Sequence, residues 1–197
     1  MTRKEQKEER RKIILMTALK LFVERGFHET KISDIADAVP MSVGLLFHYF
    51  ESKEVLLKEL VTMGVQYTGH VSKVKARDPS DFFVTFLRQL FEYSTVQPWV
   101  FNMFVLMGQA RKTGMPEEVR AIAETIHTAE DTSRIIRKGQ KEGLFRKGDA
   151  LQLSITFWAA VQGIMEEMAV NKDYKAPDPE WLVAIILGNN DHKREKK

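Results

Sequence analysis

Apolar residues recur at intervals of three and four along most of the chain, a spacing typical of amphipathic helices. The pattern predicts a first helix over residues 8–25, whose apolar stripe consists of Ile14, Ala18, Leu21 and Phe22. Gly26 is expected to end this helix as a C′ glycine, and Phe27 to fold back on it. The helix would then pack across the segments that follow.

Two short helices are predicted next. Residues 31–38 have the spacing of a short amphipathic helix, with apolar positions at Ile32, Ile35, Ala36 and Val39. Pro40 interrupts this helix, because proline disfavours helical geometry in the residue before it. Ser42 can cap the next helix by accepting a hydrogen bond from a backbone N–H. Two short helices across a tight turn predict a helix-turn-helix.

The stretch from Ser42 to Lys53 is short, aromatic and weakly charged, whereas a surface helix of a soluble domain normally shows a charged face. Leu46 and Phe50 are expected to point inward. The remaining side chains could contact base edges, thymine methyl groups and phosphates in a major groove: Val43, Gly44, Phe47, His48 and Tyr49. We therefore interpret this stretch as a recognition helix.

Roughly the first quarter of the chain resembles the N-terminal domain of the tetracycline-repressor (TetR) family of bacterial transcription regulators. The matching residues are Gly26-Phe27, Ile35-Ala36, Ser42-Val43-Gly44, Leu46 to Phe50, Ser52-Lys53-Glu54 and Leu56. The resemblance implies an all-α fold in which a three-helix helix-turn-helix DNA-binding domain precedes a helical ligand-binding and dimerisation domain. The expected bounds are 1–52 for the first domain, 53–190 for the second and 191–197 for a polar tail.

Three positions differ from the family pattern, which usually has threonine at Lys31, glycine at Pro40 and tyrosine at Phe47. Capping of the second helix is expected either to fall to Thr30 or to be weaker. The turn is expected to close differently, because proline fixes φ near about −65°. Phe47 lacks a hydroxyl group for a phosphate, so more of the anchoring to the DNA backbone would fall to Tyr49 and Lys53. The expected DNA-contacting residues are Thr30, Lys31, Ser42, Val43, Gly44, Phe47, His48, Tyr49 and Lys53.

Net charge alone does not identify a ligand, since it is only +3. Its distribution is more informative, because basic residues concentrate at the N-terminus among glutamates: Arg3, Lys4, Lys7, Arg10, Arg11 and Lys12. This segment is either a basic arm beside DNA or the solvated start of a helix. The absence of cysteine and of any apolar run long enough to span a bilayer favours a cytoplasmic protein.

The remainder of the chain is also predicted to be helical. A fourth helix capped by Ser52 should run to around Val74, and residues 77–80 form the first clear break. Helices are then expected over residues 81–93, from Pro98 onward, and as one long polar helix over residues 117–141.

Aromatic and methionine residues are more numerous in this region than one apolar face requires. Taken alone, such a surplus more often forms a core than a pocket, but the family resemblance implies a pocket for a small effector. An apolar or amphipathic effector would lie against Trp99, Phe104, Met107, Trp158 and Met165. Gln109 and Gln162 would orient its polar end.

The helix that Asp149 caps is apolar nearly all round, and residues 181–187 repeat this excess. Such helices need two burial partners, which predicts a two-fold homodimer joined by a four-helix bundle. One face is expected to pack on the subunit's own core: Leu151, Ile155, Trp158, Gln162 and Met165. The expected interface residues are Phe157, Val161, Ile164, Met168, Trp181 and Ile185.

The sequence contains no phosphate loop, nucleophile elbow or zinc-binding helix motif, so neither an enzyme nor a cofactor is expected. His127, Glu130 and Asp131 have helical spacing but are weak metal candidates. The prediction is a homodimeric repressor that a small effector releases from a pseudo-palindromic operator. The alternatives are a helical small-molecule-binding protein without specific DNA binding and, less favoured, a helical enzyme.

Overall fold

The computed structural model describes residues 2–68 and 74–188, and in these ranges the chain is helical apart from turns and a single bridge between Phe145 and Leu187. The predicted all-α fold is confirmed. The helices are α1 (Arg3–Arg25), α2 (Ile32–Ala38), α3 (Val43–Phe47), α4 (Lys53–Thr68), α5 (Pro79–Val96), α6 (Trp99–Ala110), α7 (Glu117–Ala123), α8 (Thr128–Lys141), α9 (Ala150–Val170) and α10 (Pro179–Val183).

The chain forms two compact units, each made of two segments. The first comprises Met1–Tyr67 and Gln97–Thr125, and therefore α1 to α4 with α6 and α7. The second comprises Thr68–Val96 and Ile126–Lys197, with α5 and α8 to α10. The expected boundary after residue 52 remains a prediction, and the polar tail at 191–197 lies outside the described residues.

Helix α1 begins earlier than the apolar pattern indicates. The Thr2 hydroxyl accepts from the Glu5 N–H at 3.2 Å, while the Glu5 carboxylate accepts from the Thr2 N–H at 2.8 Å. This capping box starts the helix at polar residues, which the spacing of apolar residues does not reveal. At the other end Gly26 has φ of 90°, and the Phe27 ring lies 5.3 Å from that of Phe22, so both predictions for the C-terminus of the helix are confirmed.

The core of the first unit surrounds α1, whose residues Ile14, Ala18 and Phe22 are fully buried. Helix α1 packs against α2 and α6. Helix α4 contributes buried leucines and reaches α6 closely at Gly64, where a Cβ atom would overlap Met107. The absence of a side chain at Gly64 allows these two helices to approach each other.

The predicted long helix over residues 117–141 is wrong, because the chain breaks between α7 and α8. After α7 the Thr125 hydroxyl donates to the Ile122 carbonyl at 2.7 Å, and the Thr125 N–H donates to the same carbonyl at 3.2 Å. A threonine that bonds to a nearby carbonyl offers the backbone an alternative to helical pairing. The two halves belong to different compact units.

Aromatic packing organises the second unit. The Phe83 ring lies edge-on to those of Phe157, at 5.0 Å, and Phe145, at 5.7 Å. Gly139 of α8 leaves room for the Phe145 ring, which a Cβ atom there would overlap. Asp78 caps α5 by accepting from the N–H groups of Ser80 and Asp81.

The two faces of α9 are arranged differently from the sequence prediction. Phe157 and Val161, both predicted at the dimer interface, are fully buried within the chain, so the prediction is wrong for them. Ile155, predicted in the core, is 44% exposed, and that prediction is also wrong. A helix that is apolar all round gives no periodic signal for choosing its inner face.

Candidate nucleic-acid interface

Backbone hydrogen bonds close the turn between α2 and α3. The Val39 N–H donates to the Ile35 carbonyl at 3.1 Å, and the Met41 N–H donates to the Ala36 carbonyl at 3.0 Å. Pro40 has φ of 24°, although the sequence prediction excludes a positive φ for proline, so that prediction is wrong. The pyrrolidine ring prefers φ near about −65°, so this turn holds proline in a strained conformation.

The N-termini of the two short helices are capped in different ways. The Ser42 hydroxyl accepts from the Leu45 N–H at 3.2 Å, as predicted for the start of α3. At α2 the Asp34 carboxylate accepts from the Lys31 N–H at 2.9 Å, and no side chain at the N-cap position takes part. The expected cap by Thr30 is therefore wrong, whereas the alternative of weaker capping agrees with an N-cap residue whose side chain makes no hydrogen bond.

Thr30 is fully buried, so it is also wrongly predicted to contact DNA. Its hydroxyl lies 2.8 Å from the Gly26 carbonyl oxygen and 3.3 Å from that of Leu21, and donates to them. A hydroxyl group that satisfies carbonyls at the end of α1 stabilises the turn into α2. Thr30 is therefore a structural residue of the motif.

Helix α3 presents most of the predicted reading side chains to solvent. Leu46 and Phe50 are buried, as predicted, and hold the helix against the core. The exposed or half-buried residues around them are Val43, Gly44, Phe47, His48 and Tyr49, with Ser42 exposed before them and Lys31 exposed before α2. Phe47 is 46% exposed, a large apolar surface for a side chain without an internal role.

Leu45 is an exposed residue of α3 that the sequence prediction missed. Each helical step rotates a side chain by about 100°, so the residue before buried Leu46 points to a neighbouring face. Helix α3 has only five residues, and Leu45 lies next to Gly44 on its solvent-facing side. The solvent-facing side of α3, which is the predicted reading surface, is therefore more apolar than the predicted residues alone indicate.

Lys53 lies at the start of α4, and its ammonium group is bound within the chain. Nζ donates to the backbone carbonyls of Phe27 at 2.7 Å, His28 at 3.3 Å and Thr30 at 2.9 Å. It also lies 4.4 Å from the centre of the Phe27 ring. An ammonium group has three N–H donors, so these carbonyls match its full capacity. The predicted phosphate contact by Lys53 would require breaking these bonds, and it remains a prediction.

Arg11 is a second internal cation, which the sequence places only within the basic N-terminal cluster. Its Nη1 donates to the Tyr49 carbonyl at 2.9 Å, and its Nη2 forms an ion pair with Glu59. The guanidinium carbon lies 4.2 Å from the centre of the Phe50 ring. Arg11 thus ties α1 to the end of α3 and to α4. No local signal reveals it, because Tyr49 lies 38 residues further along the chain.

The Glu54 carboxylate, next to Lys53 in the chain, remains ionised to a lower pH than an ordinary glutamate. Hydrogen bonds from its own backbone N–H and from the Ser52 hydroxyl, with a smaller contribution from the Lys53 charge, lower the pKa of Glu54 below its ordinary value.

Within the described residues no group of three histidine, aspartate or glutamate side chains has the arrangement of a metal site. In the same part of the chain, no helix combines the length and apolarity needed to cross a bilayer.

The predicted effector-binding residues fall in both compact units. Trp99, Phe104, Met107 and Gln109 belong to α6 in the first unit, and Trp158, Gln162 and Met165 to α9 in the second. Met165 is fully buried in the core, while Trp158 Nε1 donates to the Thr132 hydroxyl at 2.9 Å. A shared effector site remains a prediction.

Of the predicted interface residues, Ile164, Met168 and Ile185 are half-buried and Trp181 is exposed.

Comparison with known proteins gives matches at two scales. Residues 14–60 match the family of bacterial regulatory proteins described as the tetR family. Over 55 residues the chain is 44% identical to the transcriptional repressor KstR2 of Rhodococcus jostii, covering 28% of this chain and 27% of that protein. The aligned parts span only 19% to 28% of the length of the curated relatives.

The fold matches solved structures over most of the chain. The MbdR regulator from Azoarcus sp. CIB has a TM-score of 0.74 and 20% identity, with 88% of this chain and 95% of that one covered. AibR, in complex with isovaleryl coenzyme A and operator DNA, has a TM-score of 0.69 and 20% identity, with 89% and 94% covered. At these identities the likeness concerns the fold. The family match therefore concerns the N-terminal helix-turn-helix region, residues 14–60, which is similar to the corresponding part of bacterial regulatory proteins of the tetR family.

Proposed function

We propose that this protein is a sequence-specific DNA-binding transcription regulator that acts as a repressor. The main support is the geometry of α3: a Ser42-capped helix, fixed by buried Leu46 and Phe50, that presents Phe47 and His48 to solvent. A short helix with such a face fits a major groove, where apolar side chains contact thymine methyl groups and polar ones contact base edges. Chromosomal DNA as ligand would imply a bacterial cytoplasmic location.

A selection experiment from random-sequence duplexes tests this function, since it requires no assumption about the operator. Duplexes retained by the purified protein are sequenced, and affinity for an enriched duplex is measured by fluorescence anisotropy at several salt concentrations. We expect one pseudo-palindromic sequence family. His48→Ala should change the preferred bases, whereas the control His127→Ala, in an exposed residue before α8, should not. Failure to enrich any duplex above non-specific binding at moderate salt would contradict the proposal.

A two-fold dimer would present two reading helices to the two half-sites of such an operator. Exposed apolar residues on α9 and α10 support this assembly: Ile155, Val170 and Trp181. They replace the buried Phe157 and Val161 as interface candidates. Trp181 is 72% exposed, which is uncommon for so large a side chain outside an interaction surface.

We further propose that a small apolar or amphipathic effector weakens DNA binding. Two polar atoms on contacting helices of the first unit support a polar end of the ligand: Gln109 Oε1 and Arg120 Nε are buried and have no hydrogen-bond partner among the described residues. Buried polar atoms without partners are costly, and a ligand group could satisfy them. AibR in its complex with isovaleryl coenzyme A offers a structural precedent for an amphipathic ligand on this fold.

The effector proposal can be tested by native mass spectrometry of small molecules that co-purify with the protein. Gln109→Leu should reduce retention of such a molecule, whereas Gln89→Leu, in an exposed residue of α5, should leave it unchanged. Equal retention by the two variants would show that Gln109 does not orient the effector.

A further inference from the structure

Three basic residues on the first turns of α1 share one face. Arg3, Lys7 and Arg10 follow one another at intervals of four and three, so they share one side of the helix. The acidic residues of these turns point mainly to the opposite side: Glu5, Glu8 and Glu9. All of these side chains are exposed, so the segment forms a basic stripe on one side, while Lys4 and Lys12 lie among the acidic residues of the other side.

The basic stripe itself does not stabilise the helix. The first core residue of α1 is Ile14, so no buried apolar side chain holds the preceding turns. Arg3 and Lys7 are a like-charge pair at a spacing of four, as are Lys7 and Arg11, and such pairs weaken a helix. Opposite charges alternate on the other side of the helix, where Lys4, Glu8 and Lys12 are spaced by four, and the basic stripe lacks such partners.

The basic stripe borders the reading surface. One surface groove of about 600 Å³ is lined by Arg3, Lys7 and Arg10 together with Tyr49, which stands two residues after the end of α3. Arg11 fixes this proximity, because its guanidinium donates to the Tyr49 carbonyl at 2.9 Å. Glu9 also lines the groove, so three positive charges face one negative charge.

We propose that Arg3, Lys7 and Arg10 bind phosphates of the duplex that flanks the base pairs read by α3. Seven residues of helix span about 10 Å, and a duplex presents about one charge per 1.7 Å of its axis, so several phosphates lie within reach of the stripe. Phosphate contacts of this kind position a protein without reading bases. The inference rests on the proposed DNA-binding function and extends its contact surface beyond the helix-turn-helix.

The test uses the full-length protein and a duplex obtained by selection, with flanking sequence of two lengths. The variant Arg3→Gln/Lys7→Gln/Arg10→Gln removes the stripe, and glutamine retains helix propensity. We expect the slope of log affinity against log salt to become shallower by about 0.9 for each phosphate that is no longer bound. We also expect the wild type, but not the variant, to bind more weakly when the flanks are shortened.

A charge-matched control removes three lysines that lie outside the groove: Lys4→Gln/Lys12→Gln/Lys20→Gln. This control should retain the wild-type slope and flank dependence, and circular dichroism should show equal helix content in both variants. Equal slopes for the two variants, or flank dependence that survives in the first, would overturn the inference while sequence-specific binding remains. A wild type that binds no sequence specifically would instead contradict the proposed function.

Discussion

The helix-turn-helix region and the second compact unit are stabilised by different kinds of interaction. Around α3, cations bind backbone carbonyls: Lys53 those of the turn before α2, and Arg11 that of Tyr49. In the second unit, edge-on aromatic rings of long helices fill the core, with Phe83 and Phe157 at its centre. One region relies on a few directional polar contacts and the other on buried apolar area.

Helix length explains the difference. Helix α3 has five residues and α2 seven, and helices this short are not stable alone because nucleation is costly. Their many terminal carbonyls and N–H groups need partners, and each partner also fixes an orientation. Helix α9 has 21 residues and can be held by burial along its length. Precise placement of the reading surface therefore depends on polar contacts.

The largest expected effect lies in the aromatic core. Phe157→Ala should lower the free energy of unfolding of the second unit by about 3–5 kcal/mol, because it leaves a cavity beside Phe83. Urea denaturation followed by circular dichroism would measure this decrease. By contrast, Trp181→Ala should have little effect on unfolding of a subunit and should shift the monomer–dimer equilibrium in analytical ultracentrifugation.

Comparison of these two variants distinguishes a core residue from an interface residue. If Phe157→Ala instead gave a folded monomer of unchanged stability, Phe157 would belong to the dimer interface, as the sequence pattern predicts, and not to the core of the second unit.

Sequence alone predicts the helix-turn-helix well, because short-range rules decide its parts. Ser42 caps α3, Gly26 ends α1, and Leu46 with Phe50 faces the core, and each follows from local spacing or backbone geometry. The inner face of α9 could not be predicted, since every face of that helix is apolar. Helix α7 ends at Ala123 without the glycine or proline that usually marks such a break, and the Thr125 hydroxyl bonds to the Ile122 carbonyl there.

The roles of polar and charged residues are harder to predict. Lys53 stands in a motif that suggests phosphate binding, but its partners lie 23 to 26 residues earlier in the chain. The position of Thr30 just before α2 suggests a DNA contact, but its hydroxyl donates to the Gly26 carbonyl within the chain. A side chain's partner is a property of tertiary structure, which spacing along the sequence does not encode.

A smaller effect is expected when the internal ammonium group is removed. Lys53→Met keeps much of the aliphatic stem but leaves three carbonyls without their donor, and should destabilise the first unit by about 2 kcal/mol. DNA affinity should fall by a similar factor at every salt concentration, because the number of bound phosphates stays the same. The matched variant Lys31→Met removes an exposed lysine, and should lower the salt slope by about 0.9 with little change in stability.

Anisotropy titrations at several salt concentrations distinguish the two lysines. A shallower slope for Lys53→Met would mean that Lys53 leaves its carbonyls to bind a phosphate in the complex, and that the polar contacts around α3 rearrange on binding.

The smallest expected effect has the opposite sign. Pro40→Gly should raise the free energy of unfolding by about 1 kcal/mol, because glycine adopts positive φ without the strain that the proline ring imposes at 24°. The gain is reduced by the greater freedom of glycine in the unfolded chain. Pro98, with φ of −59°, is the matched control: there glycine gains nothing in the folded state, so Pro98→Gly should be destabilising.

Thermal denaturation of both variants measures the difference. Opposite signs would show that the turn between α2 and α3 stores strain beside the reading surface, whereas destabilisation by both substitutions would mean that the turn accommodates proline without cost.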